Sequence, residues 1–150
     1  MRTLLLGIGN TLRGDDGVGS RVLELLAPKA SRFRLLATRS LLPELALEIA
    51  QSPRVVFVDA DVTVLGVTLE RLSQEAARAA GHAWSPETLL ALARGLGFTG
   101  DAWVCRIPVS ACGHGEGLSL EAESAAQEAA SMLLGTLMTV SAIESLPKSA

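Results

Sequence analysis

The sequence predicts an α/β protein, a three-layer α/β/α sandwich around a mostly parallel sheet, and three observations predict it. Short apolar runs alternate along the chain with segments of helical periodicity. The run Arg54–Asp59 is β-branched and unbroken, as strands covered on both faces are. One hundred and fifty residues, 49% of them hydrophobic, make one domain (residues 1–150) able to bury a substantial core. Aromatic content is only 3% and tyrosine is absent, so that core must be mostly Leu, Val and Ala.

The elements follow in order. Thr3 to Leu6 is a buried strand that stops abruptly at Gly7-Ile8-Gly9-Asn10. From Asp16 the pattern turns helical, with Val18, Val22, Leu25 and Leu26 at three- and four-residue steps, until Pro28 stops it. Phe33–Thr38 reads as the second strand. Pro43 opens a helix over Glu44–Gln51, and Pro53 ends that element. Arg54–Asp59 is the central strand, and Val67–Leu72 a further one. The polar, alanine-rich stretch from Ser73 to Trp84 supports no assignment. Ser85-Pro86-Glu87 starts a helix, serine as cap and proline in the first turn. Ala102–Ile107 is the last strand. After a glycine-rich loop, Ser119 to about Leu146 reads as a long C-terminal helix.

Charge and composition exclude several functions. A net charge of −3 gives no electrostatic footprint for nucleic acid. The apolar runs fall short of a membrane span, and the first six residues read as a strand rather than a signal peptide. Two cysteines imply no disulfide framework. A cytoplasmic, soluble chain acting as a monomer is expected.

The chemistry concentrates between Thr3 and Val22. Gly14-Asp15-Asp16-Gly17 sets two carboxylates where a strand hands over to a helix, at the edge where open α/β sheets build their crevices. A nucleotide reading fails. Leu12 stands at the third glycine position of a dinucleotide fingerprint, no Gly-Lys-Ser/Thr is present, and Asp15 and Asp16 would repel a phosphate. One aspartate there caps a helix well; two in a glycine-flanked loop suggest a cation site. The second acidic element is Val58-Asp59-Ala60-Asp61. Asp59 ends a hydrophobic strand, and right-handed crossovers would bring it to the same edge as Asp16.

The stretch Gly7-Ile8-Gly9-Asn10-Thr11-Leu12-Arg13-Gly14-Asp15-Asp16-Gly17-Val18-Gly19 resembles the opening signature of the hydrogenase maturation proteases. Those endopeptidases trim the C-terminal extension from the large subunit of nickel–iron hydrogenases once nickel is in place. The resemblance runs to about Leu134, through Val58-Asp59-Ala60, Ile107-Pro108 and Gly117-Leu118-Ser119. It implies a phosphorylase/hydrolase-like, five-stranded sheet in which Val67–Leu72 is the antiparallel strand. It also assigns metal-binding carboxylates to Asp16 and Asp59, with nickel carried by the precursor.

Where the family has a histidine after Ser-Pro, this chain has Glu87. Three carboxylates would make a harder, more anionic site, suited to manganese, calcium or magnesium. His82 is the alternative third ligand. Thr38–Leu42 likewise replaces a glycine-rich substrate loop. Cys105 reads as core, and Cys112 with His114 is a weak metal pair. The expected function is a metal-assisted endopeptidase, with Asp16 and Asp59 at its centre, a divalent ion as cofactor and a hydrogenase large-subunit precursor as partner. The alternative is an idle or repurposed homologue that binds without cutting, because Glu87 replaces the histidine.

Overall fold

The computed structural model describes residues 2–29, 31–73, 84–110 and 117–144. Five strands form one sheet: β1 (Thr3–Ile8), β2 (Phe33–Thr38), β3 (Arg54–Asp61), β4 (Thr68–Arg71) and β5 (Asp101–Pro108). Their spatial order is β2-β1-β3-β5-β4, all pairs parallel except β4 against β5. The antiparallel strand is therefore the one the resemblance implied. Four α-helices accompany the sheet among the described residues: α1 (Val18–Leu26), α2 (Leu45–Ala50), α3 (Pro86–Gly95) and α4 (Leu120–Glu144).

Strand alternation divides the core in two. Leu5, Val56, Val58, Cys105 and Ile107 face α1 and α4, where Val22, Ala126 and Leu133 complete the packing. Leu4, Leu6, Val55, Phe57 and Val104 face α2 and α3, packing on Ile49, Leu89 and Leu90. This is the three-layer sandwich, and it explains why the central strands read as continuous apolar runs.

Element boundaries differ from the sequence reading mainly at the ends. Residues Gly14–Gly17 form a 3-10 turn, so α1 begins at Val18 rather than at Asp16. Strand β3 runs on to Asp61, which pairs with Pro108. Helix α3 starts as expected: Ser85 Oγ accepts from the Thr88 N–H, and Thr88 Oγ1 accepts in return from the Ser85 N–H. Pro86 takes the first position, where a missing N–H costs nothing. Most of the unassigned Ser73–Trp84 stretch, His82 included, lies outside the described residues, as do Cys112 and His114.

Candidate active site

The site is built where β1 and β3 end against the start of α1. Two glycines permit the approach. A Cβ on Gly19 would sit 2.6 Å from the Ile8 carbonyl oxygen and 2.7 Å from that of Val58, so α1 rests directly on both strand ends. Gly9 has φ +146°, and a Cβ there would lie 1.8 Å from the Asp16 carbonyl oxygen. The glycine pattern thus serves backbone packing, and it seats the turn that carries Asp16 against the sheet.

Asp16 is half-buried, and its Oδ2 accepts from the Asn10 N–H at 2.7 Å. Asn10 Oδ1 in turn accepts from the Leu12 N–H at 2.9 Å, which stiffens the loop. Asp59 sits near the end of β3, two residues before Asp61, on the α2–α3 face. Burial pushes its carboxyl up to about 6. The Ala60 N–H hydrogen bond opposes that shift, repulsion from Asp16 and Asp61 adds to it, and Arg106 draws it down. Repulsion from Asp16 is thus a minor part of the shift at Asp59, after burial and the Ala60 hydrogen bond.

Asp15 has a different task. It is 5% exposed; its Oδ1 accepts from the Ser119 N–H at 2.7 Å and its Oδ2 from the Ser119 hydroxyl at 2.8 Å. Ser119 Oγ also accepts from the Ala122 N–H, capping α4. Of the two adjacent aspartates, Asp15 ties the turn before α1 to the start of α4, while Asp16 accepts from the Asn10 N–H.

Glu87, in the first turn of α3, lies with Oε1 3.8 Å from Arg106 Nη2. Sequence reasoning missed Arg106. It stands opposite Asp59 in the β3–β5 register and also meets Asp61 Oδ2 at 3.5 Å and Glu70 Oε2 at 3.3 Å. Its signal was available: in Val104-Cys105-Arg106, alternation puts the arginine on the face opposite buried Cys105. Cys105 itself is fully buried core, its thiol pushed up to about 12 by burial, and is no nucleophile at neutral pH. Asp61 Oδ1 accepts from the Thr63 N–H and hydroxyl, which holds its carboxyl below the usual range.

Among the described residues, no three histidine, cysteine, aspartate or glutamate side chains gather as a metal cluster. Asp16 and Asp59 are each a hard oxygen donor. Such donors fit a divalent ion that brings ligands of its own better than an ion held by the protein alone. A cavity of about 640 Å³ lies elsewhere, between Thr11, Ser20 and Arg21 on one side and Ser119 and Glu123 on the other. Its arginine is committed: Arg21 Nε donates to both Glu123 oxygens at 3.0 Å, and Nη1 donates to Glu24 at 3.1 Å.

No protein-family model matches this chain, and no curated protein does. Solved structures match it over nearly its whole length. The hydrogenase maturating endopeptidase HybD from Escherichia coli is 22% identical, with TM-score 0.74 over 93% of this chain and 94% of that one. A hydrogenase 2 maturation peptidase from a Thaumarchaeota archaeon is 26% identical, with TM-score 0.67 over 91% and 98%. The [NiFe] hydrogenase maturation protease HybD from Thermococcus kodakarensis is 23% identical, with TM-score 0.70 over 91% and 99%. The chain has the fold of the hydrogenase maturation proteases, as residues 7–19 implied.

Proposed function

We propose that this chain is an endopeptidase of the hydrogenase-maturation type, acting in the cytoplasm on a nickel–iron hydrogenase large-subunit precursor and removing its C-terminal extension. What supports the reading is the fold shared with the hydrogenase maturation endopeptidases, together with Asp16 in the turn after β1 and Asp59 near the end of β3, both at the carboxyl edge of the sheet. Asp16 is held rigidly by the Asn10 N–H, so it can anchor a cation without reorganising. With its carboxyl at about 6, Asp59 exchanges a proton near neutrality, which suits proton transfer at its oxygens. A divalent ion bound there would orient the substrate and polarise the scissile carbonyl or a water. Glu87 offers a third carboxylate, and nickel arrives as the precursor's cargo.

The rim suits a protein substrate. Leu12, Leu42, Val62, Leu65 and Trp84 are exposed on loops around the carboxyl edge. Exposed apolar side chains on these loops favour docking of a large partner.

Incubating the protein with a nickel-loaded precursor, and separately with its metal-free form, tests the reading. Intact mass should show loss of the extension only in the loaded sample. The pairing of Glu87 with Arg106 favours a second reading, a homologue that docks the precursor without cutting it. Stable complex formation with no mass change would establish that reading instead.

A further inference from the structure

The two edges of the sheet are finished differently. Strand β4 has four residues, and its exposed Glu70 and Arg71 pair with Arg106 and Asp101. Charges of this kind keep foreign strands off an edge. Strand β2 has six residues, Phe33-Arg34-Leu35-Leu36-Ala37-Thr38, and its one charge, Arg34, pairs with Glu48 of α2. Among the described residues no strand pairs with its outer side. The register with β1, and the bond from the Gly9 N–H to the Thr38 carbonyl, spend the backbone groups of Arg34, Leu36 and Thr38 on β1. Those of Leu35 and Ala37 point to the open side.

Charge frames this edge. Between Glu24 and Glu44 the chain carries Lys29, Arg32, Arg34 and Arg39 and no acid, in a protein of net charge −3. Lys29 and Arg32 precede β2 and Arg39 follows it. All three are exposed and make no ion pair among the described residues. A second copy of the chain paired antiparallel here would bring Arg32 of each near Arg39 of the other, which is repulsive.

We infer that the open edge of β2 is a docking strand for an extended, acidic peptide segment of a partner protein. Backbone pairing at Leu35 and Ala37 supplies affinity, and the cations at both ends select an acidic sequence. The inference does not depend on whether the chain cuts its partner. The edge ends at Thr38, bonded to Gly9, so a docked segment reaches towards the turn that carries Asp16.

Fluorescence anisotropy with a labelled peptide of alternating glutamate and valine tests this on the full chain. The peptide should bind with Kd on the order of 10–100 μM, at least about tenfold more tightly than the same peptide with lysine for glutamate. Methylating every backbone nitrogen of the acidic peptide keeps its charge but removes its donors, and should weaken binding at least about tenfold. Ala37→Pro removes an outward N–H without touching the β1–β2 ladder, and should also weaken binding. Where that variant fails to fold, the methylated peptide reads the same contact on the wild-type chain. Arg32→Gln combined with Arg39→Gln should cost about tenfold. Equal binding of the lysine or the methylated peptide would overturn the inference, as would no binding below about 1 mM. Self-association of the chain that Ala37→Pro abolishes would overturn it too, assigning the edge to a second copy.

Discussion

Asp15 and Ser119 lie 104 positions apart in sequence and are joined by two hydrogen bonds, at 2.7 and 2.8 Å. Both oxygens of a nearly buried carboxylate are spent on one serine, which at the same time caps the 25-residue helix α4. The link fixes the β1–α1 turn to the start of α4, and Asp16 sits on that turn.

Asp15→Ala should therefore destabilise the protein by about 2–3 kcal/mol, since it strands two buried donors that had a charged acceptor. Asp15→Asn should cost less, because its carbonyl oxygen can still accept one of the two bonds. Urea denaturation of both variants checks this. Wild-type stability in Asp15→Ala would mean that the turn is held from elsewhere.

The glycines make a second, sharper contrast. Gly19→Ala drives a Cβ into two backbone carbonyls, at 2.6 and 2.7 Å, and neither strand end can retreat without breaking the sheet. The expected cost is about 2 kcal/mol or more. Gly66→Ala meets nothing within 4 Å and should change stability by less than about 0.5 kcal/mol. Comparing midpoints of thermal unfolding for the two variants decides whether the close seat of α1 is essential.

These residues also show what could be read in the sequence. Strand and helix order was legible because periodicity and Pro/Gly punctuation are local properties, and Ser85-Pro86 marked the start of α3 unaided. Asp59 was legible because a carboxylate ending a run of apolar residues has few placements. The division of labour between Asp15 and Asp16 was not. The 3-10 turn directs adjacent side chains differently, and Ser119 enters only through tertiary packing. The partners of Arg106 were hidden for a similar reason, although strand alternation gave its face. Asp61, Glu70 and Glu87 come from three other elements: the β3–β5 and β4–β5 registers bring in the first two, and the packing of α3 on the sheet brings in Glu87.

The raised carboxyl of Asp59 makes stability depend on pH with a definite sign. Its ordinary value is 3.8 and its folded value about 6, so between the two the folded state holds a proton that the unfolded state has released. Stability contributed by this group is complete below about pH 4 and is lost as pH rises through 6. Asp59→Asn removes the ionisation. The variant should thus exceed wild type at pH 7 by about 2 kcal/mol, and the gap should close towards pH 4. Chemical denaturation at several pH values measures the gap. A constant difference across that range would show that burial of Asp59 exerts no such penalty.

That penalty also separates a working carboxylate from a structural one when activity is measured. Asp16→Asn and Asp59→Asn each remove one anionic donor while keeping side-chain shape, so each should abolish cleavage of a nickel-loaded precursor. Their stabilities should not move together. Asp59→Asn relieves desolvation and the repulsion from Asp16 and Asp61, and should leave the fold more stable at neutral pH. Asp16→Asn weakens the charged hydrogen bond from the Asn10 N–H, offset in part by relief of the repulsion on Asp59, and should be neutral or slightly destabilising. A variant that is more stable yet inactive cannot owe its inactivity to unfolding, and a stability cost kept in the native sequence is the usual mark of a functional group. Cleavage by mass spectrometry and unfolding of the same preparations give both quantities. Near-normal cleavage by Asp59→Asn would remove it from the site, however favourably its stability changed.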